Sequence, residues 1–267
     1  MSTQVNQEYR AFLGWNILTE CAKEERTLTY GELGKFVGCH HRVTRFFLAL
    51  IQNYCLENKL PPLTILVLNQ SGYPGAGFIA WDVDRLEEGK QEVFKKDWSV
   101  IENPFSFAVD GTVENQLIDQ LVSNPDSSTE IYNRIKVRGV AQSIFRQTLL
   151  KLYGSACAVC ELTFEVALNA AHIIPWTECN ESDRLNIKNG LLLCTVHHKL
   201  FDAGAFFIND NYTISVNTNN KDYPVVSKYD EILLSEFNGK RIRLPSEESK
   251  YPSIVFLREH RNQYGQD

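Results

Sequence analysis

The stretch NGLLLCTVHHKLFD, Asn189–Asp202, places one cysteine, two adjacent histidines and one aspartate directly after an apolar run. Thiols and imidazoles are ligands of transition metals, whereas a short apolar run is typical of a buried strand. The same letters would also suit polar residues at the edge of an ordinary core. What stands upstream in the chain decides between these two interpretations.

Two short cysteine and histidine pairs occupy the second half of the chain. CAVC, Cys157–Cys160, is a C-x2-C pair, and Cys194-Thr-Val-His197 is a C-x2-H pair. Two such pairs a few dozen residues apart predict a closed tetrahedral site for a structural zinc ion. A redox dithiol would not need the second pair. The alternative is that the cysteines are free core residues, as we expect for the remaining ones: Cys21, Cys39, Cys55 and Cys179.

Between the pairs stands NAAHIIPW, Asn169–Trp176. From Ala171 onward the chain contains, in this order, Ala-His-Ile-x-Pro, Asn-Gly-Leu, Leu-Cys, His and Phe-Asp. This order resembles the HNH endonuclease family over about Arg134–Asp210. The resemblance implies the ββα-metal fold, in which a β-hairpin packs on a helix around a metal ion. It also implies hydrolysis of a phosphodiester bond.

The resemblance assigns roles to three residues. His172 would be the general base, since an imidazole with a pKa near 6.5 suits proton abstraction at neutral pH. Asn189 would orient that base or touch the metal, and His198 would bind the catalytic divalent ion. Many relatives carry a metal ligand just before the base, where this chain has Ala171. Asp202 is a substitute, because residues i and i+4 share a helix face; a solvent-facing or capping aspartate is the alternative. The ion would be Mg²⁺ or another divalent metal.

The first half reads as helices followed by two strands. Periodicity predicts helices over Asn6–Cys21 and about His40–Glu57, the latter with Phe46 and Phe47 inside. Thr29 with Glu32 is a capping box, so a short helix should follow to Val37. LTILVL and FIAW are strand-like.

This order resembles the winged-helix DNA-binding domain of the alkyltransferase-like family over about Arg26–Phe78. The family's Pro-Cys-His-Arg acceptor motif is absent, because the chain reads VLNQ there. Alkyl transfer is therefore not implied. The alternative is an ordinary helical core with no role in DNA binding.

Several cationic and amide side chains are candidates for nucleic-acid contact. Arg138, Gln142 and Arg146 recur at helical spacing on a helix expected over Val140–Leu152, and Arg42 and Arg45 lie on the supposed recognition helix. Arginine can bind phosphate through two hydrogen bonds. A solvated helix face is the alternative for each.

Composition sets the general class. The chain has 267 residues, 43% hydrophobic and 22% charged, with a net charge of −6. No apolar run approaches the roughly 18 residues needed to cross a bilayer, and the start lacks a signal-peptide core. We therefore expect a cytoplasmic protein with reduced cysteines and no membrane partner. The linker-like segment SNPDSSTE, Ser123–Glu130, suggests a division near residue 125.

These observations predict an α+β protein: a winged-helix-like DNA-reading domain over 1–125 and a zinc-stapled HNH domain over 126–267. The expected function is metal-dependent cleavage of double-stranded DNA, in restriction or phage defence and, by analogy alone, against modified DNA. A non-catalytic zinc protein that binds DNA, with Ala171 as the sign of lost activity, is one alternative. A subunit of a larger defence complex is another, and a homodimer is left open.

Overall fold

The computed structural model describes residues 6–135, 138–217 and 224–265. Contacts divide the chain into two compact units. The first comprises the chain up to Gln116 with Arg134–Val140, and the second comprises Leu117–Asn133 with the chain from Ala141 onward. The division near residue 125 stays a prediction about independently folding parts. Within the described ranges, no helix is both long and apolar enough to span a bilayer.

Helices dominate the first unit. Its elements, in chain order, are α1 (Gln7–Lys23), β1 (Leu28–Thr29), α2 (Tyr30–Val37), α3 (Thr44–Glu57), β2 (Val67–Leu68) and α4 (Leu86–Lys95). The predicted capping box is present: Thr29 Oγ1 accepts from the Glu32 amide at 3.2 Å, and Glu32 Oε2 accepts from the Thr29 amide at 2.7 Å. Gly38, with φ of 73°, ends α2 in the left-handed region as expected.

The core of this unit forms where α1 crosses α3. Gly14 allows the close approach, because a Cβ there would stand 2.9 Å from the Phe47 ring. Trp15 is buried and packs edge-on against Tyr54 and Trp98. The predicted inward face of α3 is partly wrong, since Phe46 is 49% exposed. Contact with α1 at Phe47 sets the rotation of the helix instead.

The predicted two-stranded wing is absent from the described residues. LTILVL forms a 3-10 turn over Leu63–Leu66 and then the short β2, which pairs in parallel with β1. FIAW is not a strand. Two side chains satisfy the backbone there: Tyr30 Oη accepts from the Gly75 amide at 2.7 Å, and Gln52 bonds Gly77 and Ile79. A loop fastened in this way needs no partner strand.

The segment expected as a linker is mostly helical. Ser123 ends α5 (Glu114–Ser123), Pro125–Ser127 forms a 3-10 turn, and α6 spans Ser128–Ile135. Ser127 and Ser128 are buried. Because Asn124 accepts from the Asp126 amide and Pro125 follows it, this polar stretch begins a helix rather than a loop.

An antiparallel hairpin is the centre of the second unit. After α7 (Arg138–Tyr153) come β3 (Leu168–His172) and β4 (Gly190–Cys194), paired from Leu168 with Cys194 to His172 with Gly190. Every residue of β4 is buried. The later elements are α8 (Thr195–Asp202), β5 (Phe206–Ile208), β6 (Ile214–Val216), α9 (Lys228–Leu233) and α10 (Ile254–Gln263). The hairpin packs on α8, which agrees with the predicted helix on a hairpin.

Candidate active site and metal centre

The four predicted zinc ligands come together in the second unit. Cys157 and Cys160 lie in the turn region after α7, Cys194 ends β4, and His197 lies in the first turn of α8. Their ligand atoms all lie within 4.8 Å of one another. Cys160 and Cys194 Sγ are 3.9 Å apart, and Cys157 Sγ lies 3.8 Å from His197 Nδ1. The spacing of the two sequence pairs therefore predicted this cluster correctly.

The donor set fits a zinc ion. A tetrahedral site with Zn–S of about 2.3 Å places its ligand atoms about 3.5–3.8 Å apart. The separations of 3.9 and 3.8 Å are close to this range, and Cys194 Sγ lies nearer to His197 Nδ1, at 3.1 Å. His197 Nε2 lies 2.9 Å from the Leu233 carbonyl, which can only accept, so Nε2 carries the proton and Nδ1 faces the thiols. Although burial lowers the pKa of His197, hydrogen bonds to Cys157 and Cys194 raise it to about 9. A metal ion must therefore displace a proton to bind.

His172 ends β3 at the other end of the hairpin. Its Nε2 lies 3.0 Å from the carbonyl oxygen of Arg184. Because a carbonyl only accepts, this bond requires the tautomer with hydrogen on Nε2, and Nδ1 becomes the basic nitrogen. The imidazole is half-buried, stacks on Phe145 with centroids 4.0 Å apart, and meets the edge of Trp176 at 5.6 Å.

Asn189, just before β4, is fully buried. Its Oδ1 accepts from the Ile174 amide at 2.8 Å, while Nδ2 donates to the carbonyls of Ile174 at 3.2 Å and Asp183 at 3.3 Å. Asp183 precedes Arg184, the residue that accepts from His172. The amide thus holds both backbone segments beside the base, which accords with an orienting role. That role and the alternative of metal contact stay predictions.

His198 and Asp202 face each other one turn apart on α8. His198 Nε2 lies 3.4 Å from Asp202 Oδ2. Burial lowers the pKa of His198 below its ordinary 6.5, although Asp202 acts in the opposite direction. A neutral imidazole beside a carboxylate can share one divalent ion. Ala171 is fully buried and offers no ligand.

One segment of the second unit matches a known family. Residues 157–209 match the family model described as HNH endonuclease. This segment is therefore similar to an HNH endonuclease domain. The match includes the zinc cluster, His172, Asn189, His198 and Asp202, and it covers about a fifth of the chain.

Similarity to solved structures is weak. A solved structure described as "Modification dependent TagI restriction endonuclease" is 20% identical, with a TM-score of 0.30. The match covers 44% of this chain and 36% of that one, so it spans about a third of that structure. A score this low supports no statement about architecture or target. No curated protein matches the chain significantly.

The predicted DNA contacts differ in how the fold uses them. In the second unit, Arg146 donates to the carbonyls of Glu165 at 3.0 Å and Leu168 at 3.2 Å, so it fastens the loop before β3. Gln142 is exposed on α7. A phosphate contact from either residue stays a prediction.

In the first unit, Arg138, Arg42 and Arg45 are exposed. Arg45 lies over the Phe46 ring at 4.7 Å. These exposed guanidinium groups are compatible with binding to phosphate, and their contacts with DNA also stay predictions.

Sequence reasoning missed the residues that surround His172. Phe145 lies 27 residues away, and Arg184 contributes a backbone atom, which no pattern of letters reveals. Trp176, inside the quoted NAAHIIPW, was the one available indication. His260 is buried and stacks on Phe201 with ring centroids 3.8 Å apart.

Proposed function

We propose that the chain is a metal-dependent DNA endonuclease that hydrolyses phosphodiester bonds, acting in restriction or defence against phage. The observation that carries the proposal is the bond from His172 Nε2 to the Arg184 carbonyl inside the segment similar to an HNH endonuclease domain. That bond gives the imidazole the tautomer a general base needs.

In the proposed mechanism, His172 Nδ1 takes a proton from the attacking water. Asn189 keeps the Ile174 and Asp183 segments in place, so the imidazole points consistently at that water. Burial lowers the pKa of His198, which favours the neutral imidazole that a metal ion needs, and His198 with Asp202 would hold the divalent ion. When bound, such an ion stabilises negative charge on the scissile phosphate.

Zinc in the cysteine cluster would have a structural role. All four of its protein ligands are supplied by the chain, so no position remains for substrate. His197 and His198 are adjacent on α8, and zinc would therefore fix the helix that carries the catalytic ligands.

The first unit is the proposed DNA reader. Its α2 and α3 follow each other across a glycine-ended turn, and Arg42 and Arg45 are exposed at the start of α3. We also propose modified DNA as a target, by analogy alone with restriction enzymes that join a DNA reader to a nuclease. Double-stranded DNA is then the partner of both units.

Cleavage of plasmid DNA tests the proposal. Zinc-loaded protein freed of loosely bound metal should cut only after Mg²⁺, Mn²⁺ or Ni²⁺ is added. His172→Ala should lose about 10²–10⁴-fold in rate while it keeps its zinc and its affinity for DNA. Thr177→Ala, at an exposed position near the site, is the control and should cut normally.

Two outcomes would count against the proposal. If His172→Ala cuts as fast as the unchanged protein, the base is assigned wrongly. If no metal supports cleavage of unmodified, methylated or hydroxymethylated DNA while binding persists, the chain is a zinc-containing DNA-binding protein.

A further inference from the structure

The imidazole of His172 contacts aromatic side chains on more than one side. Phe145 is buried and lies parallel to the imidazole, with an interplanar angle of 15° and centroids 4.0 Å apart. Trp176 closes one edge at 89°. The face and the edge of the ring are therefore both defined by aromatic neighbours.

The position of Phe145 depends on Gly190, which pairs with His172 across the hairpin. A Cβ on Gly190 would stand 2.7 Å from Phe145 Cζ and 2.9 Å from Leu149 Cδ1. The φ of Gly190 is −133°, so other residues could adopt its backbone conformation. The glycine is needed for space, and that space is occupied by the ring that stacks on His172.

A second group holds the carbonyl that fixes the tautomer. The Arg184 guanidinium lies 5.4 Å from the ring centroids of both Tyr132 and Trp176, and it donates to the Tyr132 hydroxyl. Its Nε is buried and has no hydrogen-bond partner. Contact with two aromatic rings holds the guanidinium in place, and with it the backbone carbonyl of the same residue.

We infer that Phe145, seated on Gly190, and the Tyr132–Arg184–Trp176 stack are positioning residues for His172. They set the plane of the imidazole and the carbonyl that keeps hydrogen on Nε2. The inference rests on the proposed function, because it concerns the base of that reaction. None of these side chains takes part in proton transfer.

Phe145 and the Tyr132–Arg184–Trp176 stack together form a clamp on His172, and this clamp matters for a geometric reason. If the ring turned about its terminal bond, Nε2 would leave the Arg184 carbonyl and the proton could move to Nδ1. The nitrogen that should accept a proton would then carry one. Misplacement of a catalytic group by about 1 Å costs on the order of 10²-fold in rate.

Two variants test the clamp from opposite sides. Phe145→Leu keeps an apolar side chain but removes the flat ring, and Gly190→Ala leaves Phe145 intact but removes its space. We expect each to lower kcat roughly 10- to 100-fold, with KM within about twofold. Trp176→Phe should retain more activity than Trp176→Ala, because phenylalanine keeps an aromatic edge. Ile144→Val, at the buried neighbour of Phe145, is the packing control.

The tautomer provides a readout that does not depend on cleavage. Nitrogen chemical shifts of the His172 imidazole, measured on the full zinc-loaded chain, should report hydrogen on Nε2 in the unchanged protein. Phe145→Leu and Gly190→Ala should show a mixture of tautomers, whereas Ile144→Val should not. Folding is checked by zinc content and circular dichroism in each variant.

The outcomes separate this inference from the proposed function. If the variants keep both a single tautomer and full kcat, the clamp is overturned even though the protein cuts DNA. If they lose kcat in proportion to lost stability, as the packing control does, the clamp is also overturned. If the unchanged protein never cuts DNA but the tautomers respond as expected, the proposed function fails and the geometry stands.

Discussion

Replacing Asn189 by alanine should lower the free energy of unfolding of the second unit, and the hydrogen bonds that are lost set the size of the decrease. The change leaves the buried Ile174 amide without the acceptor that now lies at 2.8 Å, at a cost of about 1–3 kcal/mol. It also removes two bonds to carbonyls, at 3.2 and 3.3 Å, worth about 0.5–1.5 kcal/mol each. The expected loss is therefore about 4 kcal/mol. Whole domains are stable by only about 5–15 kcal/mol, so this is a large fraction.

Urea unfolding followed by tryptophan fluorescence, in buffer with excess zinc, measures this loss. Asn169→Ala is the matched control, because Asn169 lies on the same hairpin and makes one exposed bond, 3.2 Å long, to Thr195 Oγ1. We expect the control to lose less than about 1 kcal/mol. Asn189→Ala should also cut DNA poorly where it is still folded, since the Asp183–Arg184 segment is released. If Asn189→Ala is as stable as Asn169→Ala, the amide does not hold these segments and its role must be sought at the metal.

Four further expectations concern metal, pH and DNA. Purified protein should hold about one zinc ion per chain by elemental analysis, and Cys157→Ser should lose that ion; well-folded protein without zinc would exclude the cluster as a metal site. Asp202→Asn should raise the metal concentration for half-maximal cleavage without changing zinc content, and unchanged metal dependence would remove Asp202 from the ligand set. Burial lowers the pKa of His260 from 6.5 to about 4, so the folded state binds a proton less readily than the unfolded state. The contribution of His260 to the free energy of unfolding should thus be fully present above pH 6.5 and fall by about 3 kcal/mol towards pH 4. His260→Phe should flatten the dependence of this free energy on pH in that range. Alanine at both Arg42 and Arg45 should weaken DNA binding and lower its salt dependence by about one phosphate for each lost contact, whereas an unchanged slope would place recognition elsewhere.

Parts of the fold were predictable from the amino-acid sequence because they depend on interactions between residues close together in the chain. The Thr29–Glu32 capping box and Gly38 fixed both ends of α2, because these residues act on their own helix ends. The cluster of Cys157, Cys160, Cys194 and His197 was predictable for a similar reason, since each x2 spacing brings two potential metal ligands to the same place. Such signals need little information about distant parts of the chain.

The errors arose where distant residues compete for the backbone. The FIAW segment has strand-like letters, but Gln52 and Tyr30 take up the hydrogen-bonding groups of the loop around it. The face of α3 was predicted with Phe46 inside, whereas contact of Gly14 with Phe47 sets a different rotation. Tertiary contacts overrode periodicity in both cases.

The environment of His172 could not be predicted because it depends on how residues distant in the sequence pack together. A glycine opposite the base makes room for a phenylalanine, and a backbone carbonyl 12 residues away selects the tautomer. These contacts depend on register and loop path, which leave no fixed spacing in the sequence. The HNH pattern predicted His172 as the base, whereas nothing in the sequence indicated the contacts that hold its imidazole.

The adjacent histidines His197 and His198 face different surroundings because of helix geometry. Consecutive residues on an α-helix point about 100° apart, so two neighbours cannot serve the same ion from one face. His197 faces the thiols and is anchored by the Leu233 carbonyl, whereas His198 faces Asp202. Any rotation of α8 that spoiled the first contact would also swing the second. A zinc ion held by His197 would thus fix the direction of His198, and the structural and catalytic metals of the proposed enzyme would be coupled through a single peptide bond.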